Sequence, residues 1–242
     1  MYAALCLTVA ACGGAEVSED LAAGEIVERT QQKAWLARSF RLRLESEAEK
    51  TSADLMMDMS GNCSGKITNS DGSFEVVKLI DQVWVRPDDA FWEKQPDSSG
   101  GEVSGSAASN TAAAAALRGK YVHGPASHAF FKSVLVLCDK RQLTGSVFAE
   151  PAGRNLTSTK KGTAVVDGQP VLVVSVEPEE GDASTVYVAA EGKPYPLKVE
   201  KGGEKAETRL LSDFELTVPK KTPPEGETVP VSRLEELQKG AL

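Results

Sequence analysis

Two blocks of period-two alternation, each punctuated by tight turns, restrict what this chain can fold into more than any other feature. In "SFRLRLESE", Phe40, Leu42 and Leu44 alternate with Arg41, Arg43 and Glu45. In "ADLMMDMS", Leu55, Met57 and Met59 alternate with Asp54, Met56 and Asp58. One apolar and one polar face mark a half-buried strand. "GNCSGKITN", "FEVVKLI" and "VWVRP" extend the run, with turns near Glu49–Ser52, at Ser70-Asp71-Gly72 and at Asp81-Gln82. A second block follows: "LTSTKKGTAVV", "PVLVVSVE", "STVYVAA", "YPLKVE" and "ETRLLSDFEL", divided by Gly-containing turns. Strands in runs joined by tight turns pair antiparallel.

Helical periodicity lies outside these blocks. From Ser18, a candidate cap, to Ala37, the residues Leu21, Ile26, Val27, Ala34 and Trp35 share one stripe. Asp88-Asp89 can cap a short turn carrying Phe91 and Trp92. Two further helical stretches are expected near 111–119 and 127–148, the second largely apolar in "HAFFKSVLVLCDKRQL", where Asp139 after Cys138 can cap or end a helix. Between them, residues 95–111 are rich in Ser, Gly and Ala and read as a mobile loop. From Pro219 the chain reads as an extended tail with a short helix over Ser232–Gln238. The expected class is α+β. A large curved antiparallel sheet, a half-barrel of about ten strands, carries an N-terminal helix and central helices on its concave face, because sheets this wide curl.

The N-terminus speaks to address. Residues 2–11 carry no charge and lead into Cys12, so that Val9-Ala10-Ala11-Cys12 sets an aliphatic residue and two small ones before a cysteine. This resembles a signal segment ending in a bacterial lipobox; it is too short to span a bilayer, which takes about 20 apolar residues. The Cys12 thiolate would accept a diacylglyceryl group, and two or more acyl chains hold a protein stably on a membrane. No basic residues precede the apolar run, so either the start lies upstream or the segment is shortened. The expected organisation is a signal over 1–11, lipidated Cys12 and tether over 12–19, one domain over 20–231 and a tail over 232–242. The expected location is the extracytoplasmic face of a cell membrane.

The net charge of −8 and the lack of a basic cluster with interleaved aromatics argue against nucleic acid as a partner. Cys6 leaves with the signal. Cys63 and Cys138 remain, an even pair in an exported chain, which reads as a disulfide, with two buried free thiols as the alternative. His123 and His128, the only histidines, sit in "HGPASH" without a third ligand and read as loop or cap residues; no metal or cofactor is expected. There is no Gly-x-Ser-x-Gly elbow, His-Glu-x-x-His or phosphate loop, so no catalytic residues are assigned and no enzyme is expected.

If the apolar helices pack imperfectly against the curled sheet, a cavity remains. Its candidate lining is Leu42, Leu44, Leu55, Met57, Met59, Trp84, Phe130, Phe131, Val134 and Leu135. Methionine adapts to irregular ligands, and it equally fills gaps in a core.

The segments "GNCSGKI", "VWVRPDDAFW", "GKYV", "LCDK", "GKPYPLKVE" and "SDF", in that order after a lipobox, resemble LolA/LppX-like lipoproteins, more narrowly the actinobacterial group related to LppX and LprG. The resemblance implies a half-barrel with an apolar cavity that carries a lipid or acylated ligand. The expected function is a membrane-anchored, non-catalytic lipid or amphiphile carrier, a monomer. The alternative is an envelope interaction or support protein with a filled core; a cell-wall hydrolase is a remoter one.

Overall fold

The structure is a computed structural model and describes residues 17–94, 115–147, 156–179 and 181–238. The signal segment, Cys12, most of the tether, the 95–111 loop, the ends of the central helical stretches and the last four residues lie outside the described residues.

Twelve strands form one open sheet in the order β12-β6-β5-β4-β3-β2-β1-β11-β10-β9-β8-β7. The strands are β1 (Ser39–Ser46), β2 (Thr51–Asp58), β3 (Cys63–Thr68), β4 (Ser73–Leu79), β5 (Gln82–Pro87) and β6 (Tyr121–Pro125), then β7 (Leu156–Val166), β8 (Gln169–Pro178), β9 (Ser184–Ala189), β10 (Pro196–Lys201), β11 (Glu207–Ser212) and β12 (Thr228–Pro230). All pairs are antiparallel except β12 with β6. The ten expected strands become twelve. β6 and the three-residue β12 are short pieces that take their place from tertiary pairing, not from alternation of their own.

Alternation sorts the faces. Phe40, Leu42 and Leu44 of β1, Leu55 and Met57 of β2, and Val83 and Val85 of β5 point inward. Leu172, Val174, Val186, Val188, Val199 and Leu211 join the same cluster from the second half. Each fully buried side chain of this size contributes roughly 1.5–3 kcal/mol. The outward positions hold charges that pair across strands, such as Arg41 with Asp54 at 2.6 Å and Arg86 with Glu75.

The helices cover the inner face. They are α1 (Ala23–Leu36), α2 (Asp89–Lys94), α3 (Ala129–Leu135), α4 (Lys140–Val147) and α5 (Val231–Gln238), with a 3-10 turn at Val136–Cys138 between α3 and α4. α1 starts later than expected: Ser18 does not cap it, and its carbonyl instead accepts from Leu21 N in a preceding turn. Ile26, Val27, Thr30 and Ala34 form the buried stripe; Trp35, placed on it by the sequence, is 46% exposed. The single long helix expected over 127–148 is broken. Asp139 leaves helical geometry (φ −94°, ψ 96°), and its carboxylate accepts from Arg141 N at 2.9 Å, opening a second helix.

After β11 the chain does not return to a neighbour. Residues 213–227 cross the outer face over β1 to β6 so that β12 can pair with β6. Seven strand spacings amount to about 33 Å, well within the roughly 50 Å reach of fifteen extended residues. The start of this strap is clamped. The Phe214 ring stacks on Tyr195 at 3.9 Å and lies 6.0 Å from Phe40. Glu215 accepts from Arg38 Nε at 2.9 Å and from the Tyr195 hydroxyl at 2.8 Å, and Ser39 Oγ donates to Leu216 O.

Those donors, Arg38 first and Tyr195 next, hold the Glu215 carboxyl at about 2, against 4.5 for an unperturbed glutamate. The folded state therefore takes up this proton less readily than the unfolded one. The stability it contributes is whole above about pH 4.5 and is lost as pH falls toward 2. In urea titrations over that window, the wild-type midpoint should fall more steeply than that of Glu215→Gln; parallel curves would contradict the clamp.

Candidate functional site

The inner face and its helical roof form the candidate site. The roof is assembled from short pieces, each fixed by a separate device. Cys138 is bonded to Cys63 at the first residue of β3 (Sγ–Sγ 2.08 Å). Two residues on, the Lys140 ammonium donates to the Ala34 and Trp35 carbonyls at 3.2 Å each, closing the C-terminus of α1, and lies 5.5 Å from the Phe40 ring. Burial pulls the Lys140 pKa down, partly offset by Glu215, while the helix carbonyls favour the cation. At the other end His128 caps α3: Nδ1 accepts from Phe130 N at 3.2 Å and Nε2 meets Glu235 of α5 at 3.0 Å.

An aromatic chain ties the roof to the sheet. Phe74 of β4 meets Phe91 of α2 at 5.1 Å, Phe91 meets Phe130 at 6.3 Å, and Phe130 meets Phe131 at 5.2 Å. Asp88 positions α2, accepting from Ser73 N and Phe91 N. Gly124 of β6 lets two roof helices approach: a Cβ there would lie 2.7 Å from Val231 Cγ1 and 3.2 Å from the Phe131 ring.

The ten candidate lining residues divide. Leu42, Leu44, Leu55, Met57, Phe131 and Val134 are buried together in one cluster, and Phe130 and Leu135 pack against it partly exposed. Met59 does not reach the site; it follows the end of β2 and is 40% exposed. Trp84 points to the outer face, where its ring stacks on His123 at 4.5 Å, since Val83 and Val85 take the inward positions of β5. The alternation of β5 could have shown this: "VWVRP" puts both valines on one face and tryptophan with arginine on the other. His123, stacked on the outer face, and His128, capping α3, serve different elements. No group of three or more metal-ligating side chains occurs among the described residues.

An open cleft of about 700 Å³ lies on the other side of the sheet, between its outer face and the strap. Met56 and Val77 line it with Arg41, Asp54, Lys66 and Glu75, and Leu216 and Pro219 of the strap form a wall. Tyr121 donates to Glu75 at 2.7 Å, and burial followed by this bond raises its pKa to about 12. None of the ten candidate residues lines this cleft. Sequence reasoning missed it because the strap that walls it is irregular chain with no periodic signal.

No protein-family profile and no curated protein sequence matches this chain. Solved structures do. LprF from Mycobacterium bovis matches with a TM-score of 0.55 at 12% identity, over 83% of this chain and 96% of LprF. The lipoprotein LppX from Mycobacterium tuberculosis matches with a TM-score of 0.48 at 13% identity, over 81% of this chain and 97% of LppX. At such identities the likeness to LprF shows a shared fold and no more.

The bond between Cys63 and Cys138 spans 75 positions of chain. Loop-closure entropy for that length makes it worth about 4 kcal/mol. A Cys63→Ser, Cys138→Ser double variant should show a stability loss of about that size in urea. A loss below about 1 kcal/mol would mean that the roof is held by packing alone.

Proposed function

We propose that this chain, which shares its fold with LprF, is a non-catalytic holder or carrier of a lipid or similar amphiphile, fixed to the extracytoplasmic side of a cell membrane through an acylated Cys12. One observation carries the reading. A continuous apolar inner face, spanning both halves of a twelve-stranded sheet, is covered by the 14-residue α1 and by three further helical pieces of 7, 3 and 8 residues where the sequence led one to expect a single helix. Short helices hold little structure on their own and depend on what they pack against. An acyl chain entering between sheet and roof replaces the contacts of Phe131, Val134 and Leu143 with contacts of the same chemistry. The exchange of apolar for apolar surface costs little.

A second reading has its own support. Leu55, Met57, Val83 and Phe131 are fully buried, 0% exposed, as a filled core demands. In that case the protein acts by its surface, as an anchored envelope interaction or support protein. The lipobox-like Val9-Ala10-Ala11-Cys12 serves both readings.

Native mass spectrometry of the protein purified from membranes separates them. The carrier reading expects adducts of lipid mass that disappear after solvent extraction. A clean apo mass under conditions that retain lipid on a known carrier would remove it. The anchor is tested apart from the cargo, by metabolic labelling with an alkyne fatty acid: wild type should label and Cys12→Ser should not. Equal labelling of both would refute acylation at Cys12.

A further inference from the structure

Exposed large apolar side chains are concentrated at one end of the sheet. At that end β1, β3 and β5 begin and β2 and β4 finish, as the pairs Ser39 with Asp58, Met57 with Cys63, Cys63 with Lys78 and Leu79 with Gln82 require. The connections there carry Trp35 (46% exposed), Leu36 (63%), Met59 (40%) and Ile80 (66%). Val136 (59%) joins them, because its 3-10 turn is bonded through Cys138 to Cys63. Bonds between the connections make them neighbours. Met59 N donates to Arg38 O at 2.9 Å, Lys140 Nζ to Trp35 O at 3.2 Å, and Lys78 Nζ to Gly61 O. The opposite end has a different chemistry. Its turns read Glu47-Ala48-Glu49-Lys50, Asn69-Ser70-Asp71-Gly72 and Gly202-Gly203-Glu204-Lys205-Ala206, and of the exposed large apolar residues among the described ones only Leu156 (38%), where β7 begins, lies there.

The pattern selects the kind of surface it meets. Four separate connections hold these side chains, and Arg38 (side chain 81% exposed), Asp58, Asp81 and Asp139 stand among them. A protein partner needs a contiguous complementary patch. A fluid interface closes around each apolar tip and leaves charges between them in the headgroup layer. Tryptophan suits that level, with an apolar ring and a polar N–H. An acylated Cys12 would hold the body close to a bilayer: Val17 is buried in the core only five residues on, a reach of at most about 17 Å. A body held that closely to a bilayer rests one of its surfaces on it.

We propose that the end bearing Trp35, Leu36, Met59, Ile80 and Val136 docks on a phospholipid bilayer. The docked end includes the 3-10 turn of the roof, so the junction between roof and β3 faces the membrane directly. The proposal relies on the anchor reading to bring the protein to the membrane, and the contact itself is made by these five side chains.

The test uses the full chain and vesicles of phosphatidylcholine and phosphatidylglycerol containing nitroxide-labelled lipid. Tryptophan quenching reports the contact, because Trp84 is stacked on the outer face and Trp92 is buried. Wild type should be quenched, Trp35→Phe should lose most of that quenching, and Leu36→Glu with Ile80→Glu should reduce it about twofold or more. Both glutamates replace exposed side chains, so circular dichroism and the urea midpoint should not change. Protein that sediments with vesicles without quenching at Trp35 would overturn the docking and leave the anchor standing. Failure to sediment with vesicles would also overturn the docking. So would a concentration-dependent dimer, weakened by Leu36→Glu, in place of quenching; the apolar end would then be an interface between copies of the chain.

Discussion

Burial of one face of a very wide sheet sets the terms for everything else in this molecule. Phe40, Leu42, Leu55, Met57, Val83 and Val85 point the same way because a strand alternates, and the turns keep successive strands in register. A face that broad exceeds what any one helix can cover. Several short helices share the task, each held by a local device: a disulfide for the 3-10 turn, a lysine for the end of α1, a histidine for the start of α3. The outer face is solved differently, with cross-strand ion pairs and a strap of irregular chain that runs from β11 to the far edge.

The strap explains how two meanders become one sheet. β1 pairs with β11, joining the halves at the centre. The C-terminus then travels back over the first half and closes its edge as β12. Phe214, Glu215 and Tyr195 fix the departure point. The segments "GKPYPLKVE" and "SDF" thus meet in space through Tyr195 and Phe214. Their role is structural, and it lies at the turn where the chain leaves the sheet.

Much of this was legible in the residues. The ten strands read from alternation or β-branched runs, "SFRLRLES" and "VLVVSVE" among them, stand where the pattern puts them, and Cys63 meets Cys138. What was not legible depended on tertiary context. β12 has three residues, too few for a period to show. The break at Asp139 was legible in part: an aspartate there can cap or end a helix, and its side chain does open a new one within the apolar run. Trp35 lies at the end of a helical stripe, where a shift in rotation of one residue takes a side chain from core to solvent. Trp84 was misplaced although its own strand held the answer. The inner lining was legible as a core list, because burial follows from alternation.

A lipid carrier built this way needs a roof that opens while the sheet stays shut. Native-state hydrogen exchange under low urea reads that difference. In a carrier, amides of α3, the 3-10 turn and α4 exchange through a local opening with little urea dependence, while β1 to β5 exchange only on global unfolding. A single opening, with roof and sheet amides sharing one free energy and one urea dependence, would contradict it.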